Sequence, residues 1–225
     1  QTCSTTGTLT CTVNGLTNGT PSPFTVPATN SAPLTSVASA ASAAVTPNPA
    51  QTITFANPGS KVFGTAPTVT ATTTSTSTVT FTSTTLGVCT ITSGGLLTFV
   101  TAGSCTIKAD AAADSTHIAA TPVSQTFTVT PIAPGAPTSV TATANNASAV
   151  VAFVAPTSTG GLPITGYTAT SSPGGLTGAC ATSPCTVNGL ANGTVYTFTV
   201  TATNSAPLTG LASAASNSIR PGATA

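Results

Sequence analysis

The chain has 225 residues, 2% of them charged and 40% hydrophobic, with a net charge of +1. So small a charge leaves no electrostatic footprint for DNA, RNA or an anionic membrane surface. The mean hydropathy of +0.38 would suit a membrane protein, yet no run approaches the ~20 apolar residues of a spanning helix, so membrane insertion is not expected.

The whole charged set is Lys61, Lys108, Asp110, Asp114 and Arg220, with His117 the one histidine. The chain starts at Gln1, without Met and without a signal-peptide pattern, which reads as a mature, processed or excerpted polypeptide. One stretch organises the rest. CTVNGLTNGT from Cys11 recurs as CTVNGLANGT from Cys185, and the match runs on without a gap until Pro47 meets Pro221. The offset is 174 residues (185 less 11, and 221 less 47). A self-match at fixed spacing is the mark of a repeat architecture.

Six cysteines fall into three close pairs, Cys3/Cys11, Cys89/Cys105 and Cys180/Cys185. An even count paired locally, with one histidine set apart and no CxxC, favours disulfides over zinc. Other connectivities of six cysteines stay open at this point. Disulfides imply an oxidising compartment, hence a secreted or cell-surface location.

In chain order, residues 11–13, 24–29 and 37–45 read as strands with no earlier strands to pack against. Pro21, Ser22, Pro23 and Pro27 stand where the second copy has Val195, Tyr196, Thr197 and Thr201. Prolines remove ladder donors, so this first copy is either degenerate or held differently. After the breaker Thr46-Pro-Asn-Pro49, apolar residues alternate with Thr around Ile53, Phe55, Val79, Phe81, Phe127 and Val129, the period of half-buried strands. Between them, residues 87–92, 96–100 and 104–108 read as a β-meander, with Cys89 in phase with Ile91 and Cys105 with Ile107. Beyond the junction Pro131-Ile-Ala-Pro-Gly-Ala-Pro137, strands are expected at 139–144, 149–154, 164–171, 185–187, 195–204 and 211–219. No helix is proposed. The Ala- and Ser-rich residues 38–44 are short, uncapped and aligned with the last strand of the second copy.

Two resemblances follow from these residues. QTITF, FGTAP, GVCTIT with GSCTI, and the closing SQTFTV make residues 48–131 resemble the immunoglobulin-like repeats of bacterial surface proteins. PGAPTSVTAT, Gly160-Gly-Leu-Pro-Ile-Thr-Gly-Tyr167 and LANGTVYTFTVTATN make residues 132–225 look like a fibronectin type III domain, and residues 1–47 like the second half of one. The second resemblance implies a tyrosine corner at Tyr196, whose hydroxyl bonds back to the preceding turn. It also implies an apolar plug at Phe153 in place of that family's tryptophan. By alignment Ser22 replaces the corner tyrosine in the first copy. The fold class expected is all-β, tandem immunoglobulin-like and fibronectin III β-sandwiches with an incomplete one at residues 1–47.

Chemistry gathers at one place, Lys108-Ala-Asp110-Ala-Ala-Ala-Asp114-Ser-Thr-His117. Asp114, Ser115 and His117 are triad ingredients, but neighbours in sequence rarely take triad geometry and no nucleophile elbow accompanies them. Asp110 and Asp114 alone supply too few oxygens for calcium. A solvated loop between strands is the plainer reading, so no catalytic, cofactor or metal residue is assigned, no cofactor is expected and the chain is read as non-enzymatic.

Thr and Ser suit outward strand positions without charge; O-linked glycan, above all on residues 70–78, is a second reading. Sequons stand at Asn18, Asn146 and Asn192. Near-zero net charge also permits lateral association. The function expected is a structural element of a bacterial surface filament, stalk or adhesin, self-associating (by strand complementation or as a continuous tandem array). The alternatives are spacer or carbohydrate-binding modules of a secreted polysaccharide-degrading enzyme, or a phage fibre or decoration protein. Trp is absent and both tyrosines, Tyr167 and Tyr196, are expected inside, which weighs against a sugar platform.

Overall fold

In the computed structural model, residues 1–222 are described. Among them are strands and no helix, as Thr- and Val-rich alternation without caps dictates. The chain divides into two compact units. One holds Gln1–Phe55, Ala71–Thr80 and Ala109–Val123; the other holds Ala56–Thr70, Phe81–Lys108 and the chain from Ser124 onward.

The strands of the first 131 residues are β1 (Ile53–Thr54), β2 (Lys61–Val62), β3 (Thr72–Thr73), β4 (Val79–Ser83), β5 (Cys89–Ile91), β6 (Leu97–Phe99), β7 (Gly103–Ala111) and β8 (Val123–Thr130). They form the pair β1-β3, the pair β5-β6, and a sheet ordered β2-β8-β7-β4 in which β2 runs parallel to β8. The single meander expected from residues 87–108 is therefore split. β5 and β6 pair with each other, β7 joins the larger sheet, and the Cys89–Cys105 disulfide ties β5 to β7. Both of these cysteines are fully buried, as are Leu97 and Ile107, and the rings of Phe99 and Phe127 meet edge to face at 6.5 Å. In the first unit, Gln51 is buried and hydrogen-bonded at both ends of its amide. Its Nε2 donates to the Ala112 carbonyl at 2.6 Å, and its Oε1 accepts from the hydroxyls of Thr73 and Ser75. A buried amide needs such partners, since each unmet group would cost about 1–3 kcal/mol.

The remaining strands are β9 (Thr138–Asn145), β10 (Ser148–Val154), β11 (Ile164–Ser172), β12 (Thr177–Cys180), β13 (Cys185–Asn188) and β14 (Thr197–Asn204). They make two antiparallel sheets, β13-β10-β9 and β12-β11-β14. The alternating inward residues of both sheets close one core, with Ala149, Val151, Ala169, Val187, Phe198, Val200 and Ala202 all at 0% exposure. Phe153 packs its ring 4.7 Å from that of Tyr167 in the same core. β12 has no counterpart among the expected strands. Its Gly178 explains why no apolar pattern marks it: a Cβ there would sit 2.0 Å from the Thr186 carbonyl oxygen, so the position must be bare.

Two expected strands, 37–45 and 211–219, are not regular strands, and residues 11–13 and 24–29 form no ladder either. Residues 210, 213, 216 and 219 instead donate their N–H groups to the carbonyls of Ala202, Val200, Phe198 and Tyr196. Steps of three residues thus match steps of two, so this last segment advances by about 2.2 Å per residue where a strand advances about 3.3 Å. The donors a regular ladder would have satisfied are met by serine. Phe198 N–H donates to Ser216 Oγ at 3.0 Å and Val200 N–H to Ser213 Oγ at 2.9 Å. Each hydroxyl then donates to the carbonyl of its own next residue. The first copy repeats the device, with Phe24 N–H on Ser42 Oγ, Val26 N–H on Ser39 Oγ and Ala28 N–H on Ser36 Oγ, at 3.0–3.1 Å. Residues 22–45 are thus a hairpin of the same irregular pitch as 196–219.

Candidate functional site

Polar chemistry concentrates where β7 ends. Ala112, Ala113 and Asp114 leave the strand, and Asp114 then folds the chain back on itself. Its Oδ1 accepts from the N–H of Thr116 at 2.8 Å, the hydroxyl of Thr116 at 2.9 Å and the N–H of His117 at 2.7 Å. Its Oδ2 faces the hydroxyls of Thr76 and Ser77 at 3.3 and 3.4 Å. The Thr116 N–H is the chief cause that holds the carboxyl well below the usual carboxylate range; the Thr116 hydroxyl and His117 N–H add to it. A carboxylate so occupied is a turn-forming acceptor, as Asp is wherever its side chain bonds the backbone two or three residues on.

The three triad ingredients do come close, but not as a triad. His117 Nδ1 lies 3.5 Å from Asp114 Oδ1 and 2.9 Å from the Thr116 hydroxyl. Ser115 contributes its carbonyl, which accepts from Asn48 Nδ2 at 3.3 Å, and no serine hydroxyl meets the imidazole. Asp110 remains on β7, where its carbonyl accepts from Thr80. Among the described residues no group of three or more His, Cys, Asp or Glu could hold a metal ion. Among these residues no helix is long and apolar enough to cross a membrane.

The cysteines pair as Cys3–Cys11, Cys89–Cys105 and Cys180–Cys185. The last ties the end of β12 to the start of β13, the two neighbouring edges of the two sheets. The Tyr196 hydroxyl accepts from the N–H of Ala191 at 3.1 Å, five residues upstream. Tyr167 and Tyr196 are both buried, so neither offers a ring to solvent.

The second site is a surface. In residues 185–204 the side chains of Val187, Leu190, Phe198, Val200 and Ala202 are buried to 2% exposure or less. Their counterparts at the fixed offset are Val13, Leu16, Phe24, Val26 and Ala28. The residues keep their type, yet Val26 is 71% exposed and none of the five is buried. Sequence reading missed one feature of both copies, the serine-for-carbonyl exchange in the last segment. Its signal was present as serine at every third position, Ser36, Ser39 and Ser42, and again Ser213 and Ser216.

Comparison with known proteins agrees with this geometry. Residues 134–213 match the fibronectin type III domain family. No curated protein matches the chain. Among solved structures, titin kinase with its flanking domains is similar at 23% identity over 40% of this chain, with a TM-score of 0.36. This chain covers 17% of that one. A run of titin domains is similar at 16% identity over 89% of this chain and 74% of its own, TM-score 0.41. The chicken CNTN1 FN1–FN3 domains are similar at 15% identity over 84% and 72%, TM-score 0.37. At such TM-scores the likenesses carry no argument about function. The described residues are all-β, and the two-sheet sandwich built from β9 to β14 lies where the fibronectin type III family matches.

Proposed function

We propose that this chain is a structural, non-enzymatic piece of an extracellular repeat protein of bacterial type. In this reading residues 1–47 are the C-terminal half of a fibronectin III-like domain, 48–131 an immunoglobulin-like domain and 132–225 a second fibronectin III-like domain. The alternation builds a surface filament, stalk or adhesin, either as one tandem array or by self-association. One observation carries the reading. The last hairpin occurs twice, 174 residues apart (185 less 11), with the same irregular pitch and the same serine-to-backbone hydrogen bonds. A recurrence of sequence and of hydrogen bonding at a fixed interval is what a tandem unit requires.

Three further features support it. Disulfides and domains of this kind are typical of extracellular proteins. Asp114 is spent on backbone donors, so the one polar cluster has a folding task. The near absence of charge lets copies lie against one another. With sandwiches about 30–40 Å long by strand geometry, a two-domain unit would add roughly twice that to the length of an array.

The intact mass of the native polypeptide, reduced and denatured, tests this. A tandem array gives a mass several times 21.4 kDa; a self-associating subunit gives about that mass (plus any glycan) and filaments by electron microscopy. A native polypeptide of this mass that stays monomeric sinks the reading.

A further inference from the structure

Residues 13–45 present a core face that the structure covers only in part: Val13, Leu16 and Phe24 are half-buried and Val26 and Ala28 are exposed. Val26 is 71% exposed and Val45 55%, whereas Val200, at the place of Val26, is 0% exposed. What covers the second copy of this face is visible in the same chain. Ala142, Ala149, Val151, Phe153, Tyr167 and Ala169, all from residues 132–184, close the core over Phe198 and Val200.

We propose that the exposed face of residues 13–28 is a docking surface for a segment built like residues 132–184, supplied by another copy of the same 174-residue unit. The inference rests on the tandem reading and adds to it which face joins which segment. Three observations select this occupant over an unrelated apolar partner. The face repeats Val187, Leu190, Phe198, Val200 and Ala202 of the covered one as Val13, Leu16, Phe24, Val26 and Ala28, with Ser22 in place of the buried Tyr196, so it keeps most of the apolar shape that segment already fits. Neither residues 1–47 nor residues 132–184 contain any charged side chain, so burial strands no charge. Asn30 repeats the loop of Asn204, its Oδ1 accepting from the N–H groups of Ala32 and Leu34 at 3.0 and 3.1 Å. Asn204 also sends Nδ2 to the carbonyls of Ile132 and Thr159, at 2.9 and 3.2 Å; Asn30 Nδ2 has no such carbonyls within residues 1–47 and would find them in the incoming segment.

The prolines decide how the segment is held. Tyr196, Phe198 and Val200 turn their N–H groups toward the last segment, so Thr197 and Thr201 turn theirs toward β11, where they lie opposite Ser172 and Thr168. Pro23 and Pro27 stand at the places of Thr197 and Thr201. The edge therefore offers its carbonyls but two fewer donors. Side-chain burial, not the ladder, carries the docking, and strands lacking the matching apolar pattern gain little from this edge.

A fusion placing residues 132–184 ahead of the full chain tests the proposal by hydrogen exchange. In the unfused chain the amides of Phe24, Val26 and Ala28 exchange fast, since solvent reaches the hairpin. In the fusion they slow by about 100-fold or more, toward the rates of Phe198 and Val200. Phe24→Asp in the fusion abolishes that protection and leaves the amides of residues 196–204 unchanged, which separates lost docking from lost folding. Exchange equal in fused and unfused chains overturns the proposal. So does protection that appears in the unfused chain only at high concentration and vanishes with Phe24→Asp, because hairpins would then cover one another. A native mass of one unit with protection in the fusion would refute the tandem array alone, whereas a long native chain without protection would refute the docking alone.

Discussion

At the scale of single residues, Asp114 shows how little charge this fold needs and where it uses it. Its carboxylate accepts two backbone N–H groups within three residues and three hydroxyls around them. These bonds favour the ionised form and hold the carboxyl below its ordinary range, near about 4 in an unfolded chain. A group whose folded value is depressed stabilises the fold above the unfolded value and loses that contribution as pH falls toward the folded one. Stability should therefore decline below about pH 4, and Asp114→Asn should lower stability at neutral pH and flatten the acid decline. Urea midpoints measured across the acid range check this, and an acid limb unchanged by Asp114→Asn would contradict the assignment.

At the scale of elements, the last hairpin of each copy is held by serine hydroxyls doing what carbonyls do in a regular ladder. In the complete copy Phe198 and Val200 are fully buried, so Ser216→Ala or Ser213→Ala leaves a backbone N–H without a partner inside the core. Each should cost about 1–3 kcal/mol. Ser42→Ala and Ser39→Ala remove the same bonds in the exposed hairpin, where water replaces them, and should leave the main unfolding transition where it is. Denaturant melts of the four variants decide it; equal effects in the two copies would mean that the hairpins are equally buried. The disulfides should separate in the same way. Removing Cys89–Cys105, which spans a sequence separation of 16, should cost about 3 kcal/mol by loop entropy. Removing Cys3–Cys11 should shift nothing in the transition of the buried cores, since neither cysteine is buried. Much of this was legible in the sequence, and the exceptions have physical reasons. The alternation around Val151, Tyr167 and Phe198 locates three core strands because period two survives wherever one face is buried. β12 was hidden because its inward position is Gly178, where close approach to Thr186 forbids a side chain. The last segment reads as a strand in both copies because small residues carry no period of their own, and only its serine spacing of three betrays the contracted pitch. The meander broke at β6 because adjacency in sequence says nothing of which sheet a strand joins once a disulfide can span two.

At the scale of the whole molecule, the decisive property is how few charges, five in 225 residues, are available to steer one copy toward or away from another. Exposed apolar residues such as Val26, Leu34, Val37 and Leu211 remain on a surface rich in Thr, Ser and Ala. Under the proposed self-association, contact between copies must then come from apolar burial and neutral hydrogen bonds, which salt does not screen, whereas ion pairs at a surface weaken as the Debye length shrinks below about 10 Å. Sedimentation of the chain at fixed protein concentration should therefore show association that persists from roughly 0.02 to 0.5 M sodium chloride. Ammonium sulfate should strengthen it, because an excluded salt favours burial of apolar surface. Asp110→Asn and Lys61→Gln, which alter the charge balance without touching the apolar face, should leave the association constant within about a factor of three, less than the tenfold that 1.4 kcal/mol would produce. Dissociation by sodium chloride would show instead that Lys61, Lys108, Asp110, Asp114 and Arg220 act across the contact. The surfaces that join copies would then have to be sought around β7.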